Sequence, residues 1–451
     1  MTFIIILYII FILGVFFFAK KNYRILGYEK YDALLPINIM LFFSALTVPY
    51  MFYIINDPGI IYTPINPLDV NDLLLKFIIL QVLSIISFMI GMRSFWSKIL
   101  GNITANLDHI QIKSGKNLIL MLSIVFYALF LYNIKSLNLQ SIFEIFINRN
   151  EIVSKLGYIY YVQQIIGYYV IYLYLIKDRL NLVQKISLGA FFAAFLMSSL
   201  LSGGRTQIVY LLVFCFIVLQ AKKQFTIKQV LKPKYLVSAG ILFLVIIVIP
   251  KFRGGAVWRN EGVVDIITSQ DDDSYKSYQL VSDISGLDRY LFIIDMFDKN
   301  VLWYGKSYED IFKILLHPIV RGSIDKLPKG DDGLYLAVMS YEKRFIYEPS
   351  YRIDDDYKTS YPPGNYAAYM NFGEIGLLIT YFLIGGIANV LYKGCAKGRF
   401  KYIYFYTLFI SGSIAFSNMI ILNFVINIIT LFIVFVLVRI FSPGNVKLQK
   451  I

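Results

Sequence analysis

Apolar residues run through this chain in long blocks that short basic turns interrupt. Blocks near 2–19, 34–55, 73–92, 117–134, 157–176, 183–201, 206–221, 235–250, 365–392, 402–418 and 419–440 have about the length that crosses some 30 Å of hydrocarbon as helix. In such a solvent each block must satisfy its own backbone polar groups, which predicts helices rather than loops or open sheet. The seventh block is short and the last two nearly merge, so the pattern predicts about eleven spans.

Assigning the connections alternately to two sides sorts the charges. One side receives Lys20, Lys21, Arg24 and Lys30, then Arg93, Lys98, Lys113 and Lys116, then Lys177, Arg179 and Lys185. It also takes Lys222, Lys223, Lys228, Lys232 and Lys234, then Lys393, Lys397, Arg399 and Lys401, and finally Arg439, Lys447 and Lys450. The opposite short connections hold only Lys135, Arg149, Lys155 and Arg205. Lys/Arg excess marks the cytoplasmic side, which puts the N-terminus outside and the C-terminus inside. Three intervals follow: a membrane part at 1–250 with about eight spans, a large outer loop at 251–364, and a membrane part at 365–451 with about three. The loop carries 15 Lys/Arg against 19 Asp/Glu, and loops of that size translocate regardless of charge. Two stripes inside it have helical spacing: Leu287, Tyr290, Leu291, Ile294 and Phe297, then Tyr308, Ile311, Phe312, Leu315, Leu316 and Ile319. Ser307 and Asp310 stand at capping-box spacing before the second stripe, and Pro318 ends it. Both helices either lie on the membrane surface or pack on each other.

Composition agrees with a lipid solvent: 58% hydrophobic and 16% charged residues, with mean hydropathy +0.64. The net charge of +14 sits in residues flanking apolar blocks and reads as topology anchoring, not as a nucleic-acid surface. Two cysteines, Cys215 and Cys395, allow no disulfide framework, and two histidines, His109 and His317, no histidine-rich metal site. The apolar start at 2–19 lacks a basic beginning and a small-residue cleavage site, so it reads as a retained first span.

The outward arginines run against the orientation bias. Arg205 lies in Ser202-Gly203-Gly204-Arg205-Thr206, a turn between two blocks, and an arginine at that depth needs an acid, a carbonyl or a ligand anion. Arg253, in Lys251-Phe252-Arg253-Gly254-Gly255, repeats the arrangement. With Arg149, Arg289 and Arg321 they form an outer set of planar, permanently charged forks suited to phosphate; the alternative is headgroup anchoring of each one separately. His317, before Pro318, is either a general base or hydrogen-bond donor, or a helix-end residue. Glu374, in Asn371-Phe372-Gly373-Glu374-Ile375-Gly376, either starts a helix or joins a site. The acidic triplets at 271–273 and 354–356 read as solvated runs. The loop also holds 18 Phe, Tyr and Trp, which either stack on sugar rings or build a cap core and membrane belt.

Taken in order, several short motifs resemble the Wzy-type O-antigen polymerases, the oligosaccharide repeat-unit polymerases of bacterial surface polysaccharide assembly. They are Gly203-Gly204-Arg205 opening a span; the basic exit from Lys251 to Gly255; Tyr304-Gly305-Lys306-Ser307-Tyr308 with Pro318 and Arg321; and Tyr361-Pro362-Pro363-Gly364 followed by Asn371-Phe372-Gly373 and Gly376. Arg149 also falls where such proteins carry an arginine. After Arg321 the run Ser323-Ile324-Asp325-Lys326-Leu327-Pro328-Lys329 departs from the family's pattern. The resemblance covers essentially the whole chain. It implies an all-α polytopic fold like that of C-type glycosyltransferases, in the bacterial inner membrane with the loop on the periplasmic side. It implies an enzyme that needs no cofactor or metal. Donor and acceptor would both be glycans on undecaprenyl diphosphate, and the acceptor's non-reducing sugar hydroxyl would attack the donor's anomeric carbon. Arg205 and Arg253 would face the donor diphosphate, His317 or Glu374 would accept the proton, and Arg149, Arg289, Arg321, Tyr304 and Tyr308 would bind substrate. Membrane lipids, a chain-length regulator and a flippase of the same pathway are the implied partners. An O-antigen ligase-type transferase, a lipid-linked oligosaccharide flippase and a scaffold of the assembly machinery are the competing readings.

Overall fold

The computed structural model describes residues 1–28, 31–32, 34–61, 63–94, 98–99, 110–112, 116–137, 149–176, 182–201, 205–223, 285–309, 311–312, 332–349, 361–411, 417–441 and 446–448. Among these the chain is helical apart from two three-residue strands. The helices are α1 (Thr2–Lys21), α2 (Pro36–Leu46), α3 (Val48–Asn56), α4 (Val70–Arg93), α5 (Lys116–Leu137), α6 (Arg149–Leu175), α7 (Leu182–Leu201), α8 (Arg205–Lys223), α9 (Leu287–Lys299), α10 (Asp332–Glu342), α11 (Ala367–Ala396), α12 (Phe400–Ile410) and α13 (Asn418–Phe441). Among the described residues, five segments are long and apolar enough to cross a membrane: Thr2–Lys21, Pro36–Asn56, Pro67–Arg93, Gly364–Ala396 and Ile420–Ile440. Shorter apolar runs lie in α5, α7 and α8, at Ile119–Tyr132, Lys185–Phe195 and Tyr210–Lys222. The block at 235–250 lies outside the described residues.

Two local departures from the hydropathy pattern have plain causes. The block at 34–55 is two helices because Pro49, in the first turn of α3, has no N–H to donate and its ring crowds the carbonyl four residues back. The Thr47 hydroxyl at the joint donates to the Ser44 carbonyl at 2.7 Å. The block at 402–418 yields α12, only 11 residues long, or about 16 Å at 1.5 Å per residue. That is roughly half of a hydrocarbon core.

Two compact units divide the chain. The first takes residues 1–104, 273–392 and 412–425. At its centre α4 and α11 lie backbone to backbone: a Cβ on Gly91 would strike the Phe382 carbonyl, and one on Gly385 the Phe88 carbonyl. Such contact needs residues without side chains, the usual device of close helix pairs in lipid. Ser87 Oγ donates to Leu378 O (2.7 Å) and Asn389 Nδ2 to Met92 O (2.7 Å). Since partners rise together along both helices, α4 and α11 run parallel. At one end Tyr28 OH donates to Asn389 Oδ1 (2.8 Å) and Tyr392 OH to Asp32 Oδ2 (3.3 Å). At the other, α9 packs against α4; Tyr50 OH donates to Asp288 Oδ2 (2.8 Å), and Tyr290, Phe77 and Tyr366 form a three-ring cluster with centres 4.5 to 6.1 Å apart. The stripe Leu287–Phe297 is therefore a helix as expected, but its apolar face packs on a span. Beside it Phe297, Trp303, Tyr335 and Phe345 form an aromatic core.

The second unit takes residues 105–272, 393–411 and 426–451. α5, α6, α7 and α8 pack in succession, α6 also touches α8, and α12 packs on both α8 and α6. Rings fill its interior: Tyr168 meets Phe195, Phe214 and Tyr404 at 5.0 to 5.4 Å. Lys222 in the last turn of α8 donates to Leu175 O, the end of α6, at 3.1 Å; with Tyr168 beside Phe214, this makes α6 and α8 parallel. Ile110–Ile112 pairs antiparallel with Val446–Leu448, a small ladder that the hydropathy pattern does not predict.

Candidate functional site

α11 is not one continuous helix. Gly373 sits at φ 64° and ψ −151°, a region that only glycine enters without strain. The break frees carbonyls that an intact ladder would use, and the loop supplies their partners: Trp303 N–H donates to Met370 O (3.0 Å) and Tyr304 N–H to Asn371 O (2.9 Å). Asn371, fully buried, uses its whole amide. Its Oδ1 accepts from Gly305 N–H (3.1 Å) and Ser307 Oγ (3.1 Å), and its Nδ2 donates to Ser307 Oγ (2.9 Å) and Ala367 O (2.9 Å). Two left-handed residues, Tyr304 (φ 49°) and Gly305 (φ 84°), turn the loop into this seat. Trp303 anchors it from below, its indole N–H donating to Ile346 O at 2.8 Å. The motifs Tyr304-Gly305-Lys306-Ser307-Tyr308 and Asn371-Phe372-Gly373 are therefore one structure.

The outcome differs for its two tyrosines. Tyr308 stacks on Phe372 at 6.3 Å, and burial pushes its phenol pKa up. Tyr304 is 69% exposed as a residue, open to a ligand. Ser307 exchanges hydrogen bonds with Asn371, and Lys306–Tyr308 is a 3₁₀ turn; its expected capping partner Asp310 lies outside the described residues. Of the stripe beyond it only Ile311 and Phe312 are described.

Glu374 is the first residue after the break, so its carboxylate stands where a helix resumes, a position that favours negative charge. It also belongs to an ion cluster. Lys76 Nζ lies 2.9 Å from Glu374 Oε1 and 3.0 and 2.9 Å from the two oxygens of Asp298. Tyr369 OH donates to Asp298 Oδ1 at 2.6 Å, with its ring 5.7 Å from the ammonium. Lys299, the residue after Asp298, bridges Asp69 (3.0 Å) and Asp295 (2.6 Å); its hydrogen bonds to Asp295 and Asp69 raise its pKa. Glu374 thus stands at the resumed helix and pairs there with Lys76. Neither Lys76 nor Asp298 stands in a motif, although Lys76 carries a signal: it is a cation inside an apolar block, where ionisable residues need a partner.

The arginines fall in different places. Arg289, in the first turn of α9, packs its guanidinium over Gly286, where a Cβ would meet Nη2 at 3.2 Å. It lies close enough to act on the phenols of Tyr290 and Tyr361; burial and the Tyr341 hydroxyl outweigh its charge and push Tyr361 up to about 12. Arg149 and Arg205 are the first residues of α6 and α8. Because those helices are parallel, both arginines sit at the same end of the second unit. Tyr168 and Phe214 set the register, so Arg149 stands roughly ten residues farther out, or about 15 Å. A cation at a helix N-terminus opposes the helix dipole, so neither position is explained by helix stability. Arg253, His317, Arg321 and the two acidic triplets lie outside the described residues. Compared with protein-family models, with curated proteins and with solved structures, the chain finds no match.

Proposed function

We propose that this chain polymerises oligosaccharide repeat units carried on undecaprenyl diphosphate, by glycosyl transfer at the outer face of the bacterial inner membrane. The observation that carries the reading is the seating of the loop turn at 303–308 on the broken helix at 371–373. Two motifs that each resemble the polymerase family's, more than sixty residues apart in sequence, are held together by a buried asparagine. They meet at the end of the spans that charge asymmetry assigns to the outside.

In this reading the acceptor hydroxyl oxygen bonds to the donor's anomeric carbon as the bond from that carbon to the lipid diphosphate breaks. The hydroxyl proton passes to His317 or Glu374, and the electron pair leaves on the diphosphate oxygen. Charge growing there is what a fixed guanidinium stabilises, the type of contribution that is often largest in catalysis. Arg205 suits the role as the first residue of α8, since a helix N-terminus favours an anion. Arg253 is its proposed companion. Arg149 begins its helix about 15 Å farther out along the axis than Arg205, and in this reading it serves the glycan or the second lipid. Arg289 and Arg321 serve either lipid's diphosphate, and Tyr304 offers its face to a sugar ring.

The eleven-span topology belongs to the same proposal. Helices α4 and α11 are parallel, so an odd number of crossings must separate them. α5 to α8 supply four, and the apolar block at 235–250 is the natural fifth. The pairing of Ile110–Ile112 with Val446–Leu448 joins two segments that the charge pattern puts on the cytoplasmic side.

Arg205→Ala and Arg253→Ala decide the matter. Each is expected to abolish long-chain polymer in a glycan ladder while protein level in the membrane stays unchanged. Normal ladders in both variants would remove the assignment. Single-repeat surface glycan persisting in a deletion strain separates a polymerase from a flippase, whose loss would leave none.

A further inference from the structure

Beside the ion cluster a groove of about 330 Å³ opens between α4 and the resumed half of α11. Its apolar wall is Leu75, Ile79, Leu80 and Leu83, and its polar mouth is Asp72, Lys76 and Glu374. Leu75, Ile79 and Leu83 are substantially exposed, as are Ile375 and Ile379 on the neighbouring helix. Both helices belong to segments long and apolar enough to span a bilayer, so this exposed apolar strip has hydrocarbon as its natural surroundings. A groove with an apolar wall along the span and charges at one end fits an amphiphile.

The charges select the headgroup. The mouth carries the carboxylates of Asp72 and Glu374 against Lys76; Asp298 shares Lys76, and Lys299, the next residue in sequence, stands between Asp69 and Asp295. Each ammonium is already held between two carboxylates: Lys76 by Asp298 and Glu374, Lys299 by Asp69 and Asp295. Asp72, exposed and one turn before Lys76, makes no ion pair among the described residues. The excess is negative and the lysines are engaged, so a purely anionic headgroup or a diphosphate is repelled. A primary ammonium is attracted.

We propose that the groove seats an ethanolamine phospholipid, its acyl chain along Leu75, Ile79, Leu80 and Leu83 and its ammonium at Asp72. The proposal rests on the membrane-spanning character of α4 and α11 and not on glycan transfer. The test uses the full-length protein in detergent, titrated with dioleoyl phosphatidylethanolamine or dioleoyl phosphatidylglycerol and read by native mass spectrometry. Wild type is expected to prefer the ethanolamine lipid by about fivefold, the effect of roughly one charge at a membrane surface. Asp72→Asn should bring the two lipids to within about twofold, and Ile79→Trp, which fills the groove, should remove the ethanolamine adduct. Both positions are exposed, and thermal unfolding of each variant checks that the fold is kept. Equal binding of the two lipids by wild type, a preference for phosphatidylglycerol, or a preference that survives both variants would overturn the proposal.

Discussion

Asn371 is the residue on which the candidate site turns. Its amide makes four hydrogen bonds inside a fully buried setting. A typical hydrogen bond is worth about 1 kcal/mol net, and a buried polar group left unsatisfied costs about 1–3 kcal/mol. Asn371→Ala is therefore expected to destabilise the protein by about 2–4 kcal/mol, seen as a lowered unfolding temperature, and to release the turn at 303–308. Gly373→Ala should cost about 1–3 kcal/mol for a different reason, because a Cβ is forced into a glycine-only backbone region. If either variant unfolds like wild type, the helix break is not the anchor described above. Glu374 poses a separate question. Its side chain is 55% exposed, and surface ion pairs contribute about 0–1 kcal/mol, so Glu374→Gln should leave stability within that margin. Lys76 stays held by both oxygens of Asp298, so polymer should persist; a lost ladder at unchanged unfolding temperature would assign proton acceptance to Glu374.

At the level of elements, the pairing of α4 with α11 is set by absences. Gly91 and Gly385 each face the other helix's backbone, while Ser87 and Asn389 reach across to carbonyls. Gly91→Leu should drive the helices apart and lose those bonds, at a cost at or above the 1–3 kcal/mol typical of overpacking. Gly14 and Gly189 have open space where a Cβ would go, so alanine there should be silent. Reduced detergent stability of Gly91→Leu beside unaffected Gly14→Ala and Gly189→Ala is the expected result. Equal behaviour of all three would mean that the helices do not touch where described.

For the whole molecule, sidedness makes the sharpest forecast. Single cysteines near residues 58, 66 and 300 should be labelled by a membrane-impermeant reagent from outside intact cells. Cysteines near 22 and 398 should be labelled only after permeabilisation. The polar pairings at opposite ends of the first unit, Lys299 with Asp69 and Tyr28 with Asn389, require the two groups to differ. Labelling of residue 300 from the cytoplasm would reverse the topology and turn the proposed arginines away from their substrate.

Helical character, the apolar blocks and the basic bias of one set of turns were all legible along the chain, because each is a local property. A residue's partition into lipid and a backbone's need for internal hydrogen bonds do not depend on distant partners. The motifs around Tyr304 and Asn371 were legible too, as separate short signatures. Their union was not. A hydrogen bond between residues sixty positions apart leaves no periodicity, and the break at Gly373 interrupts a stretch whose hydropathy is continuous. Lys76 looked like an isolated charge until folding put Asp298 and Glu374 beside it. Long-range pairing of charges and close approach of backbones depend on where helices cross, and the crossing is chosen by side chains from both of them at once.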